Sequence, residues 1–331
     1  VVQAHQALKA CQNLPNNVQW TWAVAEPYID LIKDEELVHQ LMAVPRKWSL
    51  KKWFKFKAEG RHHHFDLIID AQCLLKSWLV TKALSHEKSL SWGPEMSRDL
   101  LTPKLYKHQL NHGAVSSRSA FLNLVTKGLS LLDGLKWSEH SSATAPLTWE
   151  HKNIKLKDDF KIYCALGAGW RTKQLNIQQW KLLIHAIRKD CPTQDITFLK
   201  GSELENTQLK ELERDFDQLS IKTLPKLNLK DLKAILQPRD LFIGMDSGPT
   251  HLASSSGLLT LSFFGPSLPE AYDASDSGVH AVRGKCHLNE TFHRRCDLLR
   301  KCQDCSAISS IDPEKSWKSF WAEHGLKKEQ H

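Results

Sequence analysis

From Lys161 to Gly265 the chain alternates short apolar runs with longer segments whose apolar residues recur every three to four positions. The short runs are "KIYCALG", "DITFLKG", "DLFIGMD" and "LLTLSFFG". Each holds few residues and ends in a glycine or an aspartate, which predicts buried strands. The longer ones, "IQQWKLLIHAIRK", "TQLKELERDF", "LKDLKAIL" and "THLASSS", have helical spacing. Strands interleaved with helices of this length predict a parallel sheet with helices on both faces.

The first half follows the same plan less clearly. "VQWTWAV" (Val18 to Val24) alternates, "FDLIIDAQ" (Phe65 to Gln72) is an apolar run ending in polar residues, and helical patterns surround both. Between the halves, "LKWSEHSSATAPLTWEHKN" (Leu135 to Asn153) loses all periodicity, so two domains are expected, 1–150 and 151–331. The fold class is α/β with two Rossmann-like domains. A doubly wound domain opens on a strand, whereas "VVQAHQALKA" reads as a helix, so a first strand and its loop are expected ahead of Val1.

Composition narrows the function classes. No stretch approaches the roughly 18 to 20 apolar residues of a membrane-spanning helix. The first residues lack the charged lead and apolar block of a signal peptide. A formal charge of +8 favours anionic partners without choosing among nucleic acid, lipid head groups and phosphorylated sugars. Eight cysteines in 331 residues are too few for a disulfide scaffold, which suits a reducing cytoplasm.

Candidate chemistry lies where strands end. In "FIGMDSGPTHLASSS", Gly248 permits close backbone approach and Pro249 suits a first helical turn, so helix amides would face the sheet's carboxyl edge. Such a terminus suits a diphosphate, with Asp246, Ser247 and His251 as hydrogen-bonding groups; the plainer reading is that Asp246 or Ser247 caps the helix. The nearby Ser, His and Asp do not make a nucleophile elbow, because Met245 stands where a glycine is needed. "GAGWRTKQLN" offers Ala168, Gly169 and Lys173 at a second strand end, with Lys173 placed for phosphate oxygens or merely for solvent. "LKGSELE" places Glu205 at a helix start, where a carboxylate binds a ribose or favours the helix terminus.

Taken in order, "GAGWRTK", "GSELE", "LPKLNLKDLKAIL", "DSGPTHLA" and "FGPS" resemble the donor domain of glycosyltransferase family nine, the lipopolysaccharide heptosyltransferases. The resemblance extends through "WAVAEPYIDLI", "RKWSLKKW", "FDLIIDAQCLLKS" and "SRDLLTPKLY", which are most similar to the heptosyltransferase I branch. It implies a GT-B fold, with two Rossmann-like domains across a cleft, the first binding acceptor and the second the sugar nucleotide. It also implies inverting transfer of heptose from ADP-heptose to Kdo-lipid A, with no metal ion and no cofactor. By resemblance Lys173, Glu205, Asp246, Ser247, Gly248 and His251 bind donor, with Leu227 near the adenine. Ala168 and Gly169 replace hydroxyl residues, and Cys73 replaces the glycine of "DAQG". The family's catalytic base is an aspartate that would fall just before Val1, so no catalytic residue is assigned within these 331 residues.

On the acceptor side, "RKWSLKKWFKFK" (Arg46 to Lys57) reads as a basic amphipathic helix, with Lys47, Lys51 and Lys55 on one stripe. The resemblance places Arg46, Lys47, Lys51, Lys52 and Arg98 toward an anionic acceptor at the inner face of the inner membrane. Asp70, Gln72 and Lys76 are further cleft candidates, or Asp70 pairs with a nearby lysine. Two motifs raise metal binding. His62, His63 and His64 are adjacent and point apart, while Cys286, Cys296, Cys302 and Cys305 contain one C-x₂-C pair rather than two. The rival functions are a non-catalytic sugar-nucleotide or glycolipid binder of the same fold, and a nucleic-acid binder. The second would leave the glycine loops idle.

Overall fold

The structure, a computed structural model, describes residues 4, 18–33, 36–95, 97, 101–111, 117–133, 156–216, 221–272, 279–286, 302 and 306–324. The helix expected over the first ten residues is described only at Ala4, which is helical, and the expected linker lies outside the described residues. The chain divides into two compact units, Val1–Leu147 and Thr148–His331.

In the first unit, β1 (Thr21–Ala25) pairs in parallel with β2 (Gln40–Val44), with the one-turn helix α1 (Ile29–Ile32) between them. A three-stranded parallel sheet follows in the order β3 (His64–Asp70), β4 (Ser85–Trp92), β5 (His108–Leu110). The helices α2 (Leu50–Gly60), α3 (Leu75–Ala83) and α4 (Ser117–Leu129) accompany these strands. Met42, Phe56, Ala83 and Leu84 form one core cluster, and Cys73, Leu90, Trp92, Ala120 and Leu124 another.

The basic tract is not one helix. Ser49 caps α2, its hydroxyl accepting from the Lys52 amide at 3.3 Å, so Arg46 and Lys47 precede the helix and Lys47 does not share its stripe. Pro45 and the helix-capping serine stop the helical pattern from propagating backwards. Cys73 is fully buried at φ 50°, in the left-handed region that favours glycine, which accounts for the glycine expected there by resemblance.

In the second unit all six strands are parallel, in the order β11 (Val279–Arg283), β10 (Leu259–Phe264), β9 (Leu241–Met245), β6 (Ile162–Ala165), β7 (Ile196–Leu199), β8 (Ile221–Leu224). Every residue of β6, β7, β9 and β10 is buried, as continuous apolar runs require when helices cover both faces. The edge strands β8 and β11 were not expected from the sequence. Each is short and half-exposed, and the polar residues of "IKTL" and "VHAVR" mask the strand period.

The helices α5 (Ile177–Asp190), α6 (Glu203–Asp215), α7 (Leu229–Ile235) and α8 (Gly248–Ser255) join the strands, and α9 (Ser306–Ser309) and α10 (Pro313–His324) close the unit. Trp180, Leu183, Ile184 and Ile187, at helical spacing on α5, are fully buried in the main core. Asn176 and Gln179 exchange capping hydrogen bonds at 2.9 and 3.0 Å and fix where that helix begins.

Candidate functional site

Strand order decides where a ligand can sit. From β6 the chain winds outward through β7 and β8, then returns to the other side of β6 for β9, β10 and β11. The loops after β6 and β9 therefore diverge at a topological switch point, the crevice where open α/β sheets take ligands. The β6 loop carries Gly167, Ala168 and Gly169, followed by a 3₁₀ turn Arg171–Lys173; the β9 loop carries Asp246 and Ser247 at the start of α8.

Asp246 is the centre of this crevice. Its Oδ2 accepts from Lys173 Nζ and from Ser267 Oγ at 2.7 Å, and Oδ1 lies 3.0 Å from His251 Nε2. Three separate segments thus converge on one carboxylate. The Lys173 side chain is 14% exposed and that of Asp246 only 3%, so the lysine is not a solvated surface group. It ends a 3₁₀ turn four residues before α5, rather than entering a helix.

Burial raises the Asp246 carboxyl, but the His251 hydrogen bond and the Lys173 and His251 charges outweigh it and hold the group well below the usual carboxylate range. A folded-state value below the unfolded one contributes stability that is complete above the ordinary aspartate value of about 3.9 and is lost as pH falls through the folded value. The stability gap between the protein and its Asp246→Asn variant is therefore expected to narrow below about pH 4. Urea midpoints at neutral and strongly acidic pH check this, and a gap of constant size would contradict it.

Neither Asp246 nor Ser247 caps α8. The N-cap residue Ser247 makes no side-chain cap; its hydroxyl lies 3.2 Å from Thr250 Oγ1, which itself bonds the Met245 carbonyl at 2.6 Å. A Cβ built on Gly248 or on Gly169 would meet nothing within 4 Å, so both loops face open space. A helix terminus without a side-chain cap, beside open glycine backbone and a buried cation, can receive an anion.

Glu205 belongs to the neighbouring loop pair. As the third residue of α6 it forms a capping box with Ser202, whose hydroxyl and amide donate to Oε1 at 2.7 and 3.2 Å. Its carboxylate lies against two backbones, since a Cβ on Gly167 would fall 2.4 Å, and on Gly201 1.9 Å, from its atoms. Only glycine fits at either position while Glu205 stays there. Leu227 is half-buried in the segment between β8 and α7, and Lys200 N bonds Leu224 O at 3.2 Å beside it.

The sequence reading missed Ser267, which it took as part of a turn although "FFGPS" puts a hydroxyl two residues after the glycine. Nothing local in the sequence ties that hydroxyl to Asp246.

The residues expected on the acceptor side belong to the first unit. Lys51 and Lys52 are exposed on α2, together with Leu50 and Phe54, which are 79% and 65% exposed. Arg98 lies outside the described residues. Lys76 Nζ bonds the Arg46 carbonyl at 2.7 Å, so these two residues hold one another. Among the described residues Asp70 pairs with no lysine: Oδ1 accepts from the Gln72 and Cys73 amides at 2.9 and 3.1 Å, and Oδ2 from the Tyr106 hydroxyl. Burial, reinforced by Asp70, pushes the Tyr106 hydroxyl well above its ordinary value, which keeps it a donor.

Of the metal candidates, His63 lies 3.3 Å from Gln40 Nε2, and His64 lies 2.9 Å from Ser85 Oγ; these adjacent rings serve different partners. Cys286 and Cys302 are half-buried, and Cys296 and Cys305 lie outside the described residues.

Comparison with known proteins bears on the family and the fold. The family model described as glycosyltransferase family 9 (heptosyltransferase) matches residues 53–301, well over half of the chain. A lipopolysaccharide heptosyltransferase 1 of Campylobacter coli is 24% identical over 95% of this chain and 92% of its own, and its Pseudomonas aeruginosa counterpart 22% over 91% and 84%. Among solved structures, the Escherichia coli heptosyltransferase WaaC with ADP-2-deoxy-2-fluoro heptose is similar at TM-score 0.68, with 18% identity over 97% of this chain and 95% of that one. E. coli ADP-heptose lps heptosyltransferase II is similar at TM-score 0.65, with 13% identity over the same shares. At such identities the likeness concerns the fold, an α/β GT-B architecture with parallel sheets.

Proposed function

This chain belongs to glycosyltransferase family 9, and from that premise we propose that it moves heptose, with inversion, from ADP-heptose to Kdo of the lipopolysaccharide inner core. The observation that carries the reading is the convergence of Lys173, His251 and Ser267 on Asp246 at the switch point, beside a helix terminus that no side chain caps. WaaC and its relatives support the donor class, one solved structure holding an ADP-heptose analogue.

The donor diphosphate lies over Gly169 and the amides that open α8, with the ribose toward Glu205 and the adenine toward Leu227. An acceptor hydroxyl attacks the anomeric carbon as the bond to the ADP oxygen breaks. Negative charge grows on the diphosphate, where Lys173, His251 and the α8 terminus are already oriented and need no reorganisation. Asp246 does not act as the base. It is enclosed by three partners and held far below neutrality, so it positions the cations while the acceptor proton goes to a group elsewhere in the protein.

On the acceptor side, Arg46, Lys47, Lys51, Lys52 and Arg98 meet the anionic lipid, and Leu50 and Phe54 enter the head-group layer between the lysines. No helix among the described residues is long and apolar enough to cross a membrane, which suits a protein that works at the membrane's cytoplasmic surface.

The test is transfer from ADP-heptose to Kdo-lipid A in vesicles, with UDP-sugars as control donors. Product is expected only with the ADP-sugar, and Lys173→Ala is expected to lower kcat/KM by about 10²- to 10³-fold. Replacing Lys51 and Lys52 together with alanine should raise KM for the acceptor and leave that for the donor unchanged. A folded protein that binds UDP-sugars as tightly as ADP-heptose would refute the donor assignment. Binding of ADP-heptose without any transfer would favour a non-catalytic binder.

A further inference from the structure

At the edge of the second unit's sheet, on elements that carry no residue proposed for donor or acceptor, two imidazoles and a carboxylate meet. His280 is the second residue of β11, while Glu323 and His324 end α10. His280 Nδ1 is 3.2 Å from Glu323 Oε2, and His324 Nε2 is 3.5 Å from Glu323 Oε1. Their ligand atoms all lie within 4.8 Å of one another, and among the described residues no other three His, Cys, Asp or Glu side chains do so.

We propose that His280, Glu323 and His324 form a binding site for a divalent transition metal of the zinc class, which staples the last helix to the edge strand.

Three observations carry this. The first is distance: ligands bonded at 2.0–2.1 Å in a tetrahedron stand about 3.3–3.4 Å apart, and each histidine lies about that far from one Glu323 oxygen, His280 from Oε2 and His324 from Oε1, so the carboxylate faces both imidazoles. The second is the ligand set, since two imidazoles and one carboxylate suit zinc and its neighbours and leave a fourth position for water. The Glu323 side chain is 61% exposed and the histidine side chains 19%, so the metal can enter from solvent.

The third is preorganisation. Phe320, fully buried, lies edge-on to His280 at 5.7 Å and within 5.2 Å of His324, and the two imidazoles are 5.9 Å apart. Both backbones are also anchored. β11 is hydrogen-bonded along its length to β10, and Trp317 Nε1 on α10 donates to Asp190 Oδ2 of α5 at 2.8 Å. The metal would replace the contact that now joins His280 to Glu323, and it would tether an edge strand that has a neighbour on one side only among the described residues.

The experiment is a Co²⁺ titration of the untagged, full-length, chelator-stripped protein, read by visible absorption, with Zn²⁺ competition and thermal melts. One equivalent of tetrahedral Co²⁺ is expected, displaced by Zn²⁺, and a Tm raised by about 5 °C at metal a hundredfold above Kd. His280→Ala and His324→Ala should abolish both signals. Glu323→Gln alters an exposed side chain, so it leaves the fold intact and should weaken binding about tenfold or more. Replacing His62 to His64 with alanine, or Cys286 and Cys302 with serine, should change neither signal. The proposal is overturned if the stripped protein binds no Co²⁺, if binding survives in Glu323→Gln and His324→Ala unchanged, or if the spectrum shows thiolate charge transfer.

Discussion

Asp246→Ala is expected to destabilise the second unit by about 3–5 kcal/mol and to abolish measurable donor binding. The size follows from what the substitution leaves behind. Removing one partner of a buried ion pair leaves the other charge buried and uncompensated, and that remaining charge carries most of the cost. Here the group left behind is Lys173, with Ser267 and His251 losing the same acceptor. Relief would require Lys173 to swing outward, which pulls the β6 loop off the crevice, so stability and ligand affinity fall together. Asp246→Asn separates the two components. It keeps the shape and most hydrogen bonds but removes the charge, so a smaller stability loss is expected, with ADP affinity still reduced. Urea denaturation and ADP titration of both variants check this, and an alanine variant with wild-type ADP affinity would disprove the central role given to this carboxylate.

Much of this was legible in the sequence, and what was not has physical causes. The four central strands are continuous apolar runs, because both of their faces are covered, and runs of that kind read clearly. The edge strands β8 and β11 have half-exposed residues, so Lys222 and His280 interrupt the signal that burial would have imposed. The same asymmetry hid the histidine–glutamate cluster: its members lie 43 residues apart, on two elements whose adjacency no local pattern encodes.

At the crevice around Asp246, residue types were legible and most of their relations were not. "DSGPTH" announces a strand, a turn and a helix, which is local information. His251 stands five residues from Asp246 and is local, whereas Lys173 and Ser267 stand 73 and 21 residues away, and only the parallel order of β6, β9 and β10 brings those two together. Glu205 is the intermediate case. Ser202 and Glu205 spell a capping box in the sequence, but the fit of the carboxylate against Gly167 depends on the next strand. In the basic tract the break was legible and went unused, since Pro45 and Ser49 mark where α2 cannot extend.

Gly265→Ala tests whether the three loops act as one body. A Cβ at this position would lie 2.7 Å from the Thr172 carbonyl oxygen and 3.6 Å from Lys173 Cα. Both atoms are backbone, so no side-chain rotation can relieve the contact, and the turn that carries Lys173 must move. Overpacking of this kind typically costs about 1–3 kcal/mol. The displaced turn also takes Lys173 from Asp246 and the β6 loop from the diphosphate, so ADP affinity is expected to fall by more than the stability change alone would suggest. Gly169→Ala is the matched control. Nothing lies within 4 Å of its added methyl, so its Tm should equal the wild-type value. Its ADP affinity should still drop, because the methyl occupies the space through which the phosphate approaches the backbone. The two variants therefore divide the reading into parts. If Gly265→Ala melts and binds as wild type, the loops are not mechanically coupled; if Gly169→Ala binds as wild type, the diphosphate does not lie over the β6 loop.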